Sequence, residues 1–271
     1  MTPIVALLTD FGSQDYYAGA VKGAILSACR EATVVDIAHD LHPHDIQEGA
    51  FCLFAAYRAF PAGSVFVAVV DPGVGSERRG LALEAGGYLF VGPDNGIFSM
   101  ILGEHVDARV HQLTNAGLFR FKVSPTFHGR DIFGPVAGHL AAGKALEDVG
   151  PVAPDPVRFD LPSVKRRDER EWEATVLHVD RFGNLTTNMS ERELEAVLAE
   201  VDGDPTQIVV LVEGMVLPFV RSYFDLPEGE GCALLGSIGR LEVAVNRGSA
   251  ARVFGATKGA PIRVRIVPVE G

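Results

Sequence analysis

Several short polar clusters in this chain carry side chains able to move protons or hold a polar ligand. Thr9-Asp10-Phe11-Gly12 closes an apolar run, Asp71-Pro72-Gly73-Val74-Gly75-Ser76-Glu77-Arg78-Arg79 closes another, and Gly92-Pro93-Asp94-Asn95-Gly96 a third. In each, glycine or proline permits a tight turn while a carboxylate or amide is displayed. Any one of them reads equally well as an Asx-type turn; several at what should be one edge of one sheet point to a binding edge. Thr126-Phe127-His128-Gly129-Arg130-Asp131 is the densest cluster. It is either a capped, ion-paired helix start or a site where His128 exchanges protons near neutral pH.

Two patterns that invite a stronger reading do not sustain one. Gly73-x-Gly75 lacks the third glycine of a dinucleotide fingerprint, and Pro72 and Arg78 stand where a phosphate-cradling helix should begin. His39, Asp40, His42, His44 and Asp45 resemble a metal cluster, but their spacing follows no zinc pattern. The segment reads better as a loop entering a helix, with Asp45 at its start, and no metal is expected. Farther on, Asp180-Arg181-Phe182-Gly183-Asn184, Gly236-Ser237-Ile238-Gly239 and Asn246-Arg247-Gly248-Ser249-Ala250 are turns whose glycines would also admit a flat ligand to the backbone amides.

The elements that must position these clusters follow from periodicity. Strands are predicted at Ile4–Thr9, Thr33–Ala38, Ser64–Val70, Leu81–Glu84, Tyr88–Val91 and Arg109–Leu113, with helices near 17–28, 46–60, 97–102 and 131–142. This alternation predicts an α/β domain with a largely parallel sheet flanked by helices, over 1–155. Pro151, Pro154, Pro156 and Pro162 with the mixed-charge run after Lys165 mark a linker over 156–172. Over 173–271 strands dominate, at Glu173–Val179, Leu185–Thr187, Ile208–Val212, Ala233–Leu235, Leu241–Val245 and Ile262–Val267, around one helix opened by the Ser190/Glu193 capping box. A smaller, antiparallel, barrel-like β domain is expected there.

Composition narrows the function classes. The chain has 271 residues, 47% of them hydrophobic and 22% charged, as expected of a packed globular protein. A net charge of -11 argues against nucleic acid as a partner. Its three cysteines are scattered, with no disulfide or metal framework. The sequence enters a strand without a charged leader, and no apolar run is long enough to span a bilayer. A cytoplasmic protein without membrane contact is expected.

Taken in order, Leu8-Thr9-Asp10-Phe11-Gly12, Val70-Asp71-Pro72-Gly73-Val74-Gly75, Gly92-Pro93-Asp94-Asn95-Gly96, Thr126-Phe127-His128-Gly129-Arg130-Asp131, Phe182-Gly183-Asn184 and Asn246-Arg247-Gly248-Ser249 resemble the S-adenosyl-L-methionine (SAM) hydroxide adenosyltransferases, relatives of fluorinase and chlorinase. The resemblance covers nearly the whole chain. It implies hydrolysis of SAM to adenosine and L-methionine, with SAM as substrate and no cofactor. It also implies a homotrimer with sites at subunit interfaces.

Carried over by motif, Asp71, Arg78 and His128 would surround the attacking water, with Arg79 the competing arginine and either His128 or Asp71 the proton acceptor. Asp10 would bind the ribose hydroxyls, and the Asp94-Asn95 turn would join the substrate contacts. Asp180 and Asn184 would hold the methionine end, and Ser237, Asn246, Ser249 and Ala250 would lie around methionine and adenine. Fluorinases carry Tyr in place of Asp71 and Tyr-Ser in place of His128-Gly129. A carboxylate repels halide, whereas Asp71 and His128 offer acceptors to water, so water is favoured. The competing expectations are a chlorinase-like halogenase and a non-catalytic nucleoside- or SAM-binding protein.

Overall fold

The computed structural model describes residues 2–267 and divides at Asp160/Leu161 into two compact units. The first unit is α/β. Its strands are β1 (Ile4–Thr9), β2 (Thr33–Ala38), β3 (Val65–Val69), β4 (Gly80–Ala85), β5 (Tyr88–Pro93) and β6 (Arg109–Gln112), in the order β2-β1-β3-β5-β4-β6. The pairs β1/β2, β1/β3 and β3/β5 are parallel, and β4 joins both neighbours antiparallel. The sheet is thus largely parallel, as the alternating pattern predicts.

Helix α1 (Tyr17–Ala28) packs against α4 (Gly134–Ala141) over Val5, Leu7, Val65 and Val67. The alternate side chains of these strands turn the other way, where Phe66 stacks on Phe90 at 5.1 Å between centroids and Tyr57, just past α2 (Ile46–Ala56), meets Phe90 edge-on. A short helix, α3 (Ser99–Glu104), packs against α2. β1 and β3 are covered on both faces, and their residues from Val5 to Leu8 and Val65 to Val69 are almost wholly excluded from solvent.

The strand order reverses at β1: the chain crosses to β2 on one side and to β3 on the other. In open parallel sheets the crevice at such a reversal, beyond the strands' carboxyl ends, is where ligands bind. Asp10 follows β1 and Asp71 lies just past β3, so the first two clusters fall at this position.

The second unit is antiparallel. Its strands are β7 (Lys165–Arg166), β8 (Glu171–Val179), β9 (Leu185–Ser190), β10 (Ile208–Val212), β11 (Met215–Pro218), β12 (Gly231–Leu235), β13 (Arg240–Val245) and β14 (Pro261–Ile266). They run β11-β10-β14-β8-β9-β13-β12, with β7 beside β8. A parallel bridge from Phe219 to Ala233, with Val220 N–H donating to the Ala233 carbonyl at 2.8 Å, nearly closes the sheet into a barrel. Trp172, Met189, Val210, Val243 and Ile262 fill its interior. Helix α5 (Glu191–Ala199) opens on the predicted capping box, with Ser190 accepting from Glu193 N–H and the Glu193 carboxylate accepting from Ser190 N–H. A further short helix, α6 (Ala250–Phe254), is capped by Ser249.

In the stretch read as a linker, Val157 N–H donates to Asp94 and Phe159 N–H to Ser99, both at the edge of the first unit, while 165–166 already pair with β8. No helix among the described residues is long and apolar enough to cross a membrane.

Candidate active site

Asp71 lies just beyond β3, and its loop doubles back at once: Val74 N–H donates to the Asp71 carbonyl and Ser76 N–H to that of Gly73. Gly75 takes φ +80°, and a Cβ there would lie 2.4 Å from the Pro125 carbonyl oxygen. Only glycine permits both the left-handed backbone and this approach. The contact sets the Asp71 loop against the segment that leads into His128.

The same loop then delivers Arg78 back onto Asp71. Arg78 Nε donates to Asp71 Oδ1 at 2.9 Å and Nη2 to Oδ2 at 2.5 Å, a two-pronged ion pair whose side chains are 11% and 5% exposed. Nη2 also lies 2.7 Å from His128 Nδ1, and the guanidinium rests over the Phe133 ring at 5.2 Å. Arginine is always a donor, so Nδ1 accepts this bond and the proton of neutral His128 resides on Nε2. Burial, then the positive charge of Arg78, pull the His128 pKa below its ordinary 6.5, which keeps the ring neutral at pH 7.

His128 precedes a π-helical turn, Gly129–Phe133, that runs into α4. Sequence periodicity reads this stretch as plain α-helix; a single wider turn re-aims the side chains before it. Asp131 is fully buried inside the turn and accepts from Arg130 Nε at 2.7 Å and Ser124 N–H at 2.8 Å. Burial alone would raise its carboxyl pKa, but the Arg130 and Ser124 hydrogen bonds and the charges of Arg130 and Arg120 outweigh it and hold it below the usual carboxylate value. Asp131 therefore shapes the loop that presents His128.

Asp10 is nearly buried, its side chain 8% exposed, and its Oδ2 accepts the His44 backbone N–H at 2.8 Å. Beside it Phe11, Tyr17 and Phe127 meet ring to ring at 5.3–5.9 Å, an aromatic wall at the end of β1. Sequence reading missed this wall, because Phe11 and Phe127 are more than a hundred positions apart.

The arrangement separates the two neighbouring arginines. Arg78 meets Asp71 and His128. Arg79 instead donates from Nε to Asp94 Oδ2 at 2.7 Å and from Nη1 to Asp155 at 2.8 Å. Asp94, its side chain 2% exposed, also accepts Val157 N–H at 2.7 Å. Asn95 donates to the Val70 carbonyl and accepts Ile97 N–H. Both Asp94 and Asn95, expected among the substrate contacts, are turned inward and brace the sheet edge beside Asp71. The reason is local: a turn following a buried strand must satisfy its own backbone groups first.

In the second unit, the Asp180 carboxylate accepts the N–H groups of Phe182 and Asn184 and the Asn184 side-chain amide. Gly183, at φ +87°, leaves room for Ser249, whose Oγ would sit 2.0 Å from a Cβ there, and the Gly183 carbonyl accepts Ala251 N–H. Asp180, Asn184, Ser249 and Ala250 are thereby gathered in one corner. Asn246 lies on the same connection and ties it to the Leu226 carbonyl. Ser237 is exposed in the β12–β13 hairpin, at the opposite end of β13 from Asn246, and so stands apart from that corner.

The His39–Asp45 segment binds the protein itself. Asp45 accepts Glu48 N–H at the start of α2, and His42 bonds Glu48 through N–H and Nδ1. Among the described residues no three His, Cys, Asp or Glu side chains are gathered to hold a metal ion.

The chain thus consists of a doubly wound α/β unit with an Asp–Arg–His array at its strand reversal and, after it in sequence, an antiparallel near-barrel. The sequence matches the SAM hydroxide adenosyltransferase N-terminal domain over residues 5–150 and the C-terminal domain of the same family over 174–263, and the chain belongs to that family. It is 39% identical to the (R)-S-adenosyl-L-methionine hydrolase of Thermus thermophilus over 96% of this chain and 98% of that one. A fluorinase from Nocardia brasiliensis is more distant, at 29% identity over 97% of both chains. Among solved structures, an uncharacterized conserved protein from Thermotoga maritima superposes with a TM-score of 0.90 at 32% identity, covering 96% of this chain and 99% of that one.

Proposed function

We propose that this protein hydrolyses SAM to adenosine and L-methionine by in-line attack of a water oxygen on C5′. The observation that carries the reading is the Asp71–Arg78–His128 array, in which one guanidinium bonds both a carboxylate and an imidazole. The hydrolase relatives at 39% identity support water over halide, and so does the carboxylate, which would repel an anion.

The chemistry needs little acid catalysis, because the sulfonium leaves as a neutral thioether. Alignment of the water with C5′ and sulfur can supply about 7–11 kcal/mol in well-oriented reactions. Free hydroxide at pH 7 would cost roughly 12 kcal/mol, from the pKa of bulk water near 15.7 at about 1.36 kcal/mol per unit. Deprotonation in concert with attack avoids most of that cost.

The tautomer supports one division of roles. With Nδ1 engaged by Arg78, His128 has no lone pair left for a water proton; it offers its Nε2–H instead and orients the water oxygen. Asp71 Oδ2 accepts from both Arg78 Nε and Nη2, whereas Oδ1 accepts only from Nε and keeps a second acceptor position. Asp71 therefore takes the proton there as the C–O bond forms, and Arg78 stabilises the charge on the attacking oxygen. The products carry one positive charge fewer than the substrate, so one proton passes to solvent in each turnover. Within this reading Asp10 binds the ribose hydroxyls, and Asp94, Asn95 and Arg79 hold the sheet edge in place. Asp180, Asn184, Asn246, Ser249 and Ala250 receive the methionine and adenine ends, with Ser237 an outlying contact. No cofactor or metal takes part in the proposed steps. A cytoplasmic homotrimer with sites at subunit interfaces belongs to the same proposal.

Pure protein incubated with SAM in ¹⁸O-water tests the reading. Adenosine labelled at the 5′ oxygen is expected. Added chloride yielding 5′-chloro-5′-deoxyadenosine would mean a halogenase, and binding without product would mean a sensor.

A further inference from the structure

The histidine-rich segment 39–45 has no part in the water chemistry, yet four of its contacts converge on the turn that carries Asp10. The His44 backbone N–H donates to Asp10 Oδ2 at 2.8 Å. The His39 carbonyl accepts Gly12 N–H at 2.8 Å, and Asp40 Oδ1 accepts Ser13 N–H at 3.0 Å. The fourth is a side-chain contact: His39 Nδ1 lies 2.8 Å from Thr9 Oγ1, the hydroxyl of a fully buried residue adjoining Asp10.

The Thr9 oxygen also accepts Phe11 N–H at 3.3 Å, which leaves its own proton free to point at His39 Nδ1. Phe11 is thus bonded across the very residue that must be aimed. The far side of the ring faces a carboxylate: Nε2, which carries the proton of the neutral ring, is buried 3.0 Å from Asp36 Oδ1 though out of line for a hydrogen bond, and Asp36 Oδ2 is held by Lys22 at 2.6 Å. His44 reaches Asp10 only by taking φ +69°, a left-handed conformation that costs a non-glycine residue about 1–2 kcal/mol. A strained backbone whose amide ends on a near-buried carboxylate is held there by its surroundings.

We propose that segment 39–45 is a brace that aims Asp10 at the nucleoside, with His39 a positioning residue acting through the Thr9 hydroxyl. The proposal rests on the ribose role of Asp10. The brace acts on binding, since Asp10 is not among the groups around the attacking water.

The experiment uses the full chain with two isosteric pairs, Thr9→Val against Thr9→Ser and His39→Leu against His39→Asn. Asn keeps an acceptor near the position of Nδ1, and Ser keeps the hydroxyl. For each, KM and kcat with SAM and the calorimetric Kd for adenosine are measured. Thr9→Val and His39→Leu should raise KM and Kd by about 3- to 10-fold with kcat within about twofold, as expected for one lost hydrogen bond, while Ser and Asn restore both constants. Equal effects of Val and Ser, or a fall in kcat at constant KM, would overturn the brace. Should Thr9→Val fail to fold, the His39 pair decides alone, because His39 lies at the margin of the core. Asp10→Asn separates the layers: weaker adenosine binding there with unaffected Thr9 and His39 variants refutes only the brace, whereas unchanged binding in Asp10→Asn removes the ribose reading and the brace together.

Discussion

Arg78 Nη2 is bonded at once to Asp71 Oδ2, at 2.5 Å, and to His128 Nδ1, at 2.7 Å. One nitrogen therefore ties together residues that are 57 positions apart (128 − 71). A lysine could keep the charge but not the planar fork that engages Asp71 through both Nε and Nη2 while reaching His128. Arg78→Lys should lower kcat by about 10²-fold, the cost typical of losing one preorganised donor, with KM changed by less than about threefold. Steady-state kinetics with SAM check this, and a matched rise in KM would make Arg78 a general binder.

Arg79 should behave in the opposite way. Its partner Asp94 is nearly sealed from solvent, so Arg79→Ala leaves a buried carboxylate with only Val157 N–H. A stability loss of about 1–3 kcal/mol is expected in chemical denaturation, with kcat close to that of the parent. A loss of kcat larger than that of Arg78→Ala would reverse the roles of the two arginines.

Acid should silence His128 through its bond to Arg78. Protonation fills Nδ1 and places a second cation against the guanidinium, so kcat/KM should fall on the acid side with an apparent pKa below 6.5, the direction set by burial and by Arg78. The stability sign follows. The folded state binds this proton less readily than the unfolded state, so His128 costs nothing above pH 6.5 and becomes destabilising as pH falls through 6.5 toward the lower folded value. His128→Asn, which retains an acceptor for Arg78, should flatten the acid limb; an unchanged limb would assign it to another group.

Two glycines should separate the two halves of the chemistry. Gly75→Ala drives a methyl group onto the Pro125 carbonyl at a left-handed φ, and Gly183→Ala drives one onto Ser249. Each should lose about 1–3 kcal/mol in denaturation, the range for a residue forced into a disfavoured backbone region. Gly75→Ala should chiefly reduce kcat and Gly183→Ala chiefly raise KM. Identical kinetic signatures would mean that both act only through global stability.

Much of this architecture was legible beforehand because it is local. The buried strands β1 and β3 stand out as apolar runs, and Ser190 with Glu193 announces α5 by its spacing alone. Strand β11 escaped because Met215 and Val216 are exposed at an edge and carry no alternation, and α6 is too short to show a period. The clusters at Asp10, Asp71 and His128 were visible, but their relationships were not. Arg78 and Arg79 are adjacent and chemically identical; the folded chain around them, with Asp71 on one side and Asp94 and Asp155 on the other, tells them apart. The inward rotation of Asp94 and Asn95 depends on Arg79, Val157 and Val70, partners that no spacing rule names. The tautomer of His128 is likewise a property of its neighbour rather than of its own position.

The wide turn at Gly129–Phe133 is geometrically what remains when a helix accommodates one surplus residue. Excising a single residue there would regularise the backbone and gain local helix stability. It would also swing everything ahead of it by about 100°, one residue's share of a helical turn. His128 would then point away from Arg78, so a more comfortable helix and the bond between this imidazole and the guanidinium are mutually exclusive designs for this stretch of chain.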